Sequence, residues 1–142
     1  DGVMPEAAPV YIARQVPQII PGVGGKFIWP AQGLITQYPV SYHMALDIAN
    51  ANAPPIAAGD AGTVSYAGCV RYGYGCHVTI NHDDGFQTLY AHMSQYHVVA
   101  GDKVVRGQVI GKMGSTGRSS GTHLHFEVRK NGVLLNPLSF LK

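Results

Sequence analysis

The chain has 142 residues, 46% hydrophobic and only 13% charged, with a formal net charge of +2. That length and apolar content fit one domain with its own core and exclude a disordered polymer. So small a charge, with Arg129-Lys130 the one adjacent basic pair, gives no phosphate-tracking stripe and argues against a nucleic-acid partner.

The 18 glycines, 9 prolines and 8 tyrosines favour strands and turns over long helices. No apolar run approaches the ~20 residues of a membrane span. Residues 1–25 are rich in proline and glycine, lack periodicity, and read as a linker or extended tail; residues 26–142 form the domain. The start at Asp1 lacks the charged-then-apolar pattern of a secretion signal, so a signal or upstream segment is expected to lie outside this numbering.

Order is expected to begin with strand-like pieces at Lys26–Pro30 and Leu34–Tyr38. His43-Met44-Ala45-Leu46-Asp47 follows, placing an imidazole and a carboxylate at i and i+4. On a straight strand they would stand about 13 Å apart, so sharing one ion requires a helical turn or a bend entering a strand. Asn50–Pro55 is a loop, and Ile56–Tyr66 reads as strand, tight turn, strand.

Cys69 and Cys76 then flank a turn rich in glycine and tyrosine between two strand-like runs. A disulfide across that hairpin is the favoured reading, and it implies an oxidising, extracytoplasmic compartment. Asp84-Gly85 marks a further hairpin between Val78–Ile80 and Gln87–Tyr90, with His92 just past the strand. Val98–Gly111 carries glycines at strand corners, and residues 114–121 form a polar loop. The run from His123 to Val128 alternates polar and apolar residues, the mark of a half-buried strand. Asn131-Gly132 makes the last hairpin, and Asn136–Leu141 a helical turn over the core. These pieces make a mainly β, antiparallel sheet domain with little helix.

His123 and His125 are two apart on one strand face, with Cα atoms about 6.5–7 Å from each other. If His43, Asp47 and one histidine of that pair held an ion, the set would be two nitrogens and an oxygen. That suits Zn²⁺ with a fourth position open to water, whereas Ca²⁺ or Mg²⁺ wants more oxygens. The other histidine and His92 would stay free for proton transfer. Those groups supply what amide hydrolysis requires.

His43-x-x-x-Asp47, Tyr90-Ala91-His92-Met93-Ser94 and His123-x-His125 together resemble the signature of the lysostaphin/LytM-type zinc peptidases, the M23 family. Val104-x-x-Gly107-Gln108-x-Ile110-Gly111, Gly114-Ser115-Thr116-Gly117 and Asn136-Pro137 are similar to that family too. The likeness spans about residues 26–142. It implies zinc held by His43, Asp47 and His125, with His92 and His123 as catalytic histidines that activate water and stabilise the tetrahedral intermediate. It also implies an exported endopeptidase cutting stem cross-links or glycine-rich bridges in bacterial peptidoglycan. Met44-Ala45-Leu46 and Thr122 depart from residues common in relatives, which touches loop shape and substrate preference but removes no ligand.

Rival readings leave more unexplained. A non-catalytic module that binds cell wall or regulates a hydrolase is expected to lose metal ligands, and all five positions are present. A biotinyl-type carrier, raised by Gly101–Gln108, needs a lysine at a hairpin tip, which neither Lys103 nor Lys112 offers. Ser115, Thr116, Ser119 and Ser120 lack a nucleophile elbow. His77, His82 and His97 read as strand, turn or surface residues. Tyr42 is open to an oxyanion or a packing role, and Glu127 to orienting a ligand or to simple exposure.

Overall fold

The computed structural model describes residues 26–142, and the expected tail at 1–25 lies outside them. Ten strands follow in chain order. They are β1 (Leu34–Gln37), β2 (Leu46–Ala49), β3 (Pro55–Ala57), β4 (Gly62–Cys69), β5 (Cys76–Asn81), β6 (Phe86–Tyr96), β7 (Lys103–Val104), β8 (Val109–Met113), β9 (His123–Lys130) and β10 (Val133–Leu135). Short 3-10 turns at Asp83–Gly85 and Pro137–Ser139 are the helical elements among the described residues.

The main sheet runs β1-β2-β9-β6-β5-β4-β7, with β10 on β9 and β8 joining β3 to β6. Every strand pair is antiparallel. The connecting turns are those marked in the sequence: Asp84-Gly85 between β5 and β6, and Asn131-Gly132 between β9 and β10. Lys26–Pro30 is the exception. It forms no strand, only a parallel bridge from Phe27 to Leu141, because its apolar residues plug the core rather than extend an edge; Phe27 is fully buried.

Alternation on β9 buries Leu124, Phe126 and Val128 completely. The opposite face then carries His123, His125 and Glu127. β2 lies alongside in a register that pairs Asp47 with His125 and Ala49 with His123. On the other side, β6 pairs Ala91 with His125. The carboxylate and the imidazole therefore project from adjacent strands at one level of the sheet.

β6 runs through the position where the sequence reading ended it. Its residues from Thr88 to Met93 are all buried, since it pairs with β5 and β9 and then with β8. Where Cys76 pairs with Met93 and Val78 with Tyr90, the lone His77 of β5 opposes both Ala91 and His92. This β-bulge sits at His92, whose φ is 65°. Bulges re-aim a side chain without ending a strand, so His92 is inside β6, not beyond it.

A buried polar chain sets one pH dependence. The Gly59 N–H donates to Tyr90 Oη (2.9 Å), Tyr90 donates to Thr88 Oγ1 (2.7 Å), and Thr88 donates to His82 Nε2 (2.8 Å). His82 in turn donates from Nδ1 to the Ala61 carbonyl (2.8 Å). The chain needs a neutral imidazole as acceptor, and burial holds His82 below its ordinary value of 6.5. The unfolded chain therefore takes up this proton first. The stability His82 contributes is complete above about pH 6.5 and lost as pH falls through its depressed folded value. Urea midpoints should drop over that range, and His82→Gln should flatten the slope; an unchanged slope would remove His82 as its source.

Candidate metal centre

His43 follows a tight turn closed by paired backbone hydrogen bonds with Val40, 2.9 Å each way. The chain then bends into β2, which resolves the i, i+4 problem: His43 Nε2 comes within 3.5 Å of Asp47 Oδ2. From β9, His125 Nδ1 lies 3.1 Å from Asp47 Oδ1. Ligand atoms of His43, Asp47 and His125 all fall within 4.8 Å of one another.

Two features fit this set to a metal ion. His43 Nδ1 is buried with no hydrogen-bond partner, a poor arrangement for a purely structural imidazole. The other nitrogen of His125 faces Glu127 Oε2 at 2.9 Å, as metal-ligating histidines generally donate their second N–H to a carboxylate. Two imidazoles and a carboxylate match zinc better than calcium or magnesium.

His123 stands apart from the three. Its Nδ1–H donates to the Gly121 carbonyl (2.9 Å), with Ser119 Oγ also 3.0 Å away. That leaves Nε2, 4.0 Å from Asp47 Oδ2. His92 is tied in the same way: Nδ1–H donates to the Thr116 carbonyl at 2.7 Å. The rings of His92 and His123 are 4.8 Å apart between centroids. Each therefore commits Nδ1 to a backbone carbonyl and leaves Nε2 as its remaining nitrogen beside the donor cluster.

The electrostatics follow the geometry. Burial works against charge on Asp47, but hydrogen bonding and attraction from His125, with His123 and His43 adding to it, hold its pKa below the usual value. Burial also opposes charge on His125, yet its hydrogen bonds to Asp47 and Glu127 push it up to about 9. Carboxylates that attract a proton this strongly attract a cation at the same place. For His92, burial dominates and keeps the imidazole below its ordinary range, neutral near pH 7.

All five expected residues line one cleft of about 450 Å³, joined by Tyr74, Arg118, Ser119 and Ser120. A larger groove of about 990 Å³ beside Trp29 and Leu34 meets none of the five, and the possible metal donors lie in the smaller one. Glu127 is 5% exposed and grips His125, so the exposed-strand alternative fails. Tyr42 is 86% exposed and does not pack at the sheet edge. His77 stacks on Tyr66 at 4.5 Å and stays outside the cleft.

Tyr74, Thr116 and Arg129 are contributors the sequence reading did not reach. Tyr74 Oη donates to Glu127 Oε2 at 2.7 Å, and Arg129 Nη2 donates to Glu127 Oε1 at 2.9 Å. Thr116 supplies the His92 carbonyl partner from the polar loop. The proximity of Tyr74 to the cysteines was the one available signal, since Cys69 and Cys76 are disulfide-bonded as expected.

Residues 41–137 match the model of peptidase family M23. Over 97 residues, 68% of this chain and 22% of the relative, the sequence is 44% identical to the DD-carboxypeptidase/endopeptidase Mpg of Neisseria meningitidis. It is 40% identical over 116 residues to the murein hydrolase activator NlpD of Escherichia coli, covering 80% of this chain and 30% of NlpD. The chain thus spans less than a third of either relative's length. A crystal structure of a putative peptidase M23 from Pseudomonas aeruginosa superposes with a TM-score of 0.76 at 32% identity, covering 94% of this chain and 57% of that one. With its motifs, sheet and family match in agreement, the chain belongs to peptidase family M23.

Proposed function

We propose that this domain is a zinc-dependent endopeptidase that hydrolyses peptide bonds of bacterial peptidoglycan outside the cytoplasm. The convergence of His43, Asp47 and His125 within 4.8 Å, beside two histidines with open Nε2 atoms, carries the reading. His43, Asp47 and His125 would hold the ion, which supplies Lewis acidity towards a water and the scissile carbonyl.

The chain's own groups account for the proton traffic. The Nδ1–H of His92 is committed to Thr116, so Nε2 accepts the proton of the attacking water. His123, fixed by Gly121, faces the same space. Once protonated at Nε2, either imidazole can steady negative charge on the tetrahedral carbon's oxygen or hand a proton to the leaving amine. Proton transfer and charge stabilisation then come from side chains already oriented by backbone carbonyls.

The disulfide and the cell-wall relatives support an extracytoplasmic site of action. The rival is a regulator of other hydrolases, as the name of the E. coli relative states for that protein. Purified sacculi, directly cross-linked and glycine-bridged, incubated with the domain and with its His123→Ala variant distinguish the two. Soluble peptides released by the unmodified domain alone establish the endopeptidase, and their masses name the bond. Zinc bound with no products from either wall would favour the regulator.

A further inference from the structure

The loop closed by Cys69–Cys76 reaches the metal centre by two routes. One is through the backbone: the His92 N–H donates to the Tyr74 carbonyl (2.8 Å), the Arg118 N–H to the Gly73 carbonyl (2.8 Å), and the Cys76 N–H to Thr116 Oγ1 (3.0 Å). The fit is close, because a Cβ on Gly75 would run into the backbone of Thr116 and Gly117. The other route is the Tyr74 side chain. Its hydroxyl meets Glu127 Oε2, the same oxygen that receives His125 Nε2–H.

Glu127 is thus shared. Tyr74 and His125 hold one oxygen, while Arg129 holds the other through Nε (3.2 Å) and Nη2 (2.9 Å). Arg129 also donates to Tyr74 Oη at 3.3 Å. A carboxylate gripped at both oxygens has one orientation, and the imidazole bonded to it inherits that orientation. Nδ1 is then aimed at Asp47. The only member of this set that does not stand on β9 is Tyr74, and its place depends on a six-residue loop (70–75) whose ends are joined covalently.

We propose that Tyr74 is a positioning residue for the metal ligand His125, acting through Glu127, and that the Cys69–Cys76 disulfide holds Tyr74 in that position. This rests on the zinc reading above. Tyr74 is outside the ligand set and acts through its hydroxyl on Glu127. Its contribution is to fix the imidazole before the ion arrives, so that less ordering is left to be done on binding.

Zinc affinity, read by competition with a chromophoric chelator, tests this directly. Tyr74→Phe keeps the ring and removes only the hydroxyl; it should weaken zinc about 10-fold, within the ~10–100-fold usual for partners behind a ligand. Glu127→Ala should weaken it further and Glu127→Gln, which keeps an oxygen acceptor, less than Glu127→Ala. The Cys69→Ser/Cys76→Ser protein should lose about as much affinity as Tyr74→Phe, and adding Tyr74→Phe to it should cost little more. The visible absorption of the Co²⁺-substituted protein should shift in Tyr74→Phe, which a purely structural tyrosine would leave unmoved. If the serine pair does not fold, Cys69→Ala/Cys76→Val replaces it.

Zinc affinity of Tyr74→Phe within twofold of the parent, with an unchanged cobalt spectrum, overturns the proposal. So do fully multiplicative losses from Tyr74→Phe and the cysteine replacements, which would separate the loop from the hydroxyl. A parent domain that binds no zinc at all defeats the metal reading itself, a different result from either.

Discussion

His125→Ala should abolish both zinc binding and hydrolysis, whereas His123→Ala should keep its zinc and lose activity by roughly 10²–10⁴-fold, the range for a removed acid–base group. The two residues share a strand face and differ by one pleat, so only their surroundings separate them. His125 Nδ1 is 3.1 Å from Asp47 and its Nε2 is backed by Glu127. His123 spends Nδ1 on Gly121 and leaves Nε2 4.0 Å from Asp47. Metal content by elemental analysis, beside release of peptide from sacculi, reads both quantities in one preparation. His92→Ala should resemble His123→Ala, since its Nδ1 is likewise committed to a backbone carbonyl. Equal metal loss in the His123 and His125 variants would show that the division between ligand and proton carrier is misplaced. Because His125→Ala also leaves Asp47 and Glu127 facing each other across a vacated space, its circular dichroism should be compared with the parent before the zinc result is interpreted.

That division was not available from spacing alone. The period of two at residues 123–128 identifies a strand and puts both histidines on one face, but a period cannot say which faces a carboxylate. The register of β2 against β9 decides it, by setting Asp47 opposite His125, and register is a property of two strands separated by most of the chain. The resemblance to a family supplied the assignment that local pattern left open. Hairpins were legible where turn chemistry is strong, at Asp84-Gly85, Asn131-Gly132 and between the cysteines. Two misreadings share one cause. Lys26–Pro30 has strand-like residues but serves as a core plug, and β6 continues past Tyr90 because three neighbours cover it. In both, tertiary burial overrode a local signal. Glu127 was undecided for a similar reason: its partners Tyr74 and Arg129 come from a loop and from the next outward position of the strand, and neither proximity is written in a hydropathy pattern.

Phe126→Ala should cost about 3–5 kcal/mol, the usual penalty for deleting a buried phenylalanine, and that is a large part of the ~5–15 kcal/mol available to a domain of this kind. Phe126 is fully buried, its ring 5.4 Å from that of Tyr90. It lies opposite Leu46 on one neighbouring strand and Tyr90 on the other. The residue sits between His125 and Glu127 and points the other way, so its packing fixes the plane from which both project. Urea unfolding should show a lower midpoint with an unchanged slope. Leu134→Ala on β10, where the side chain is 39% exposed, should change the unfolding free energy by no more than about 0.5 kcal/mol. A Phe126→Ala loss no larger than that of Leu134→Ala would mean that β9 is not the centre of a cooperative core. Zinc gives the same experiment a second reading. Only the folded chain brings His43, Asp47 and His125 within 4.8 Å, so zinc at 100 times its dissociation constant should restore about 2.7 kcal/mol. Recovery of that size in Phe126→Ala would show that the metal site still assembles on a weakened sheet. Its absence would show that the aromatic core and the ligand geometry fail together.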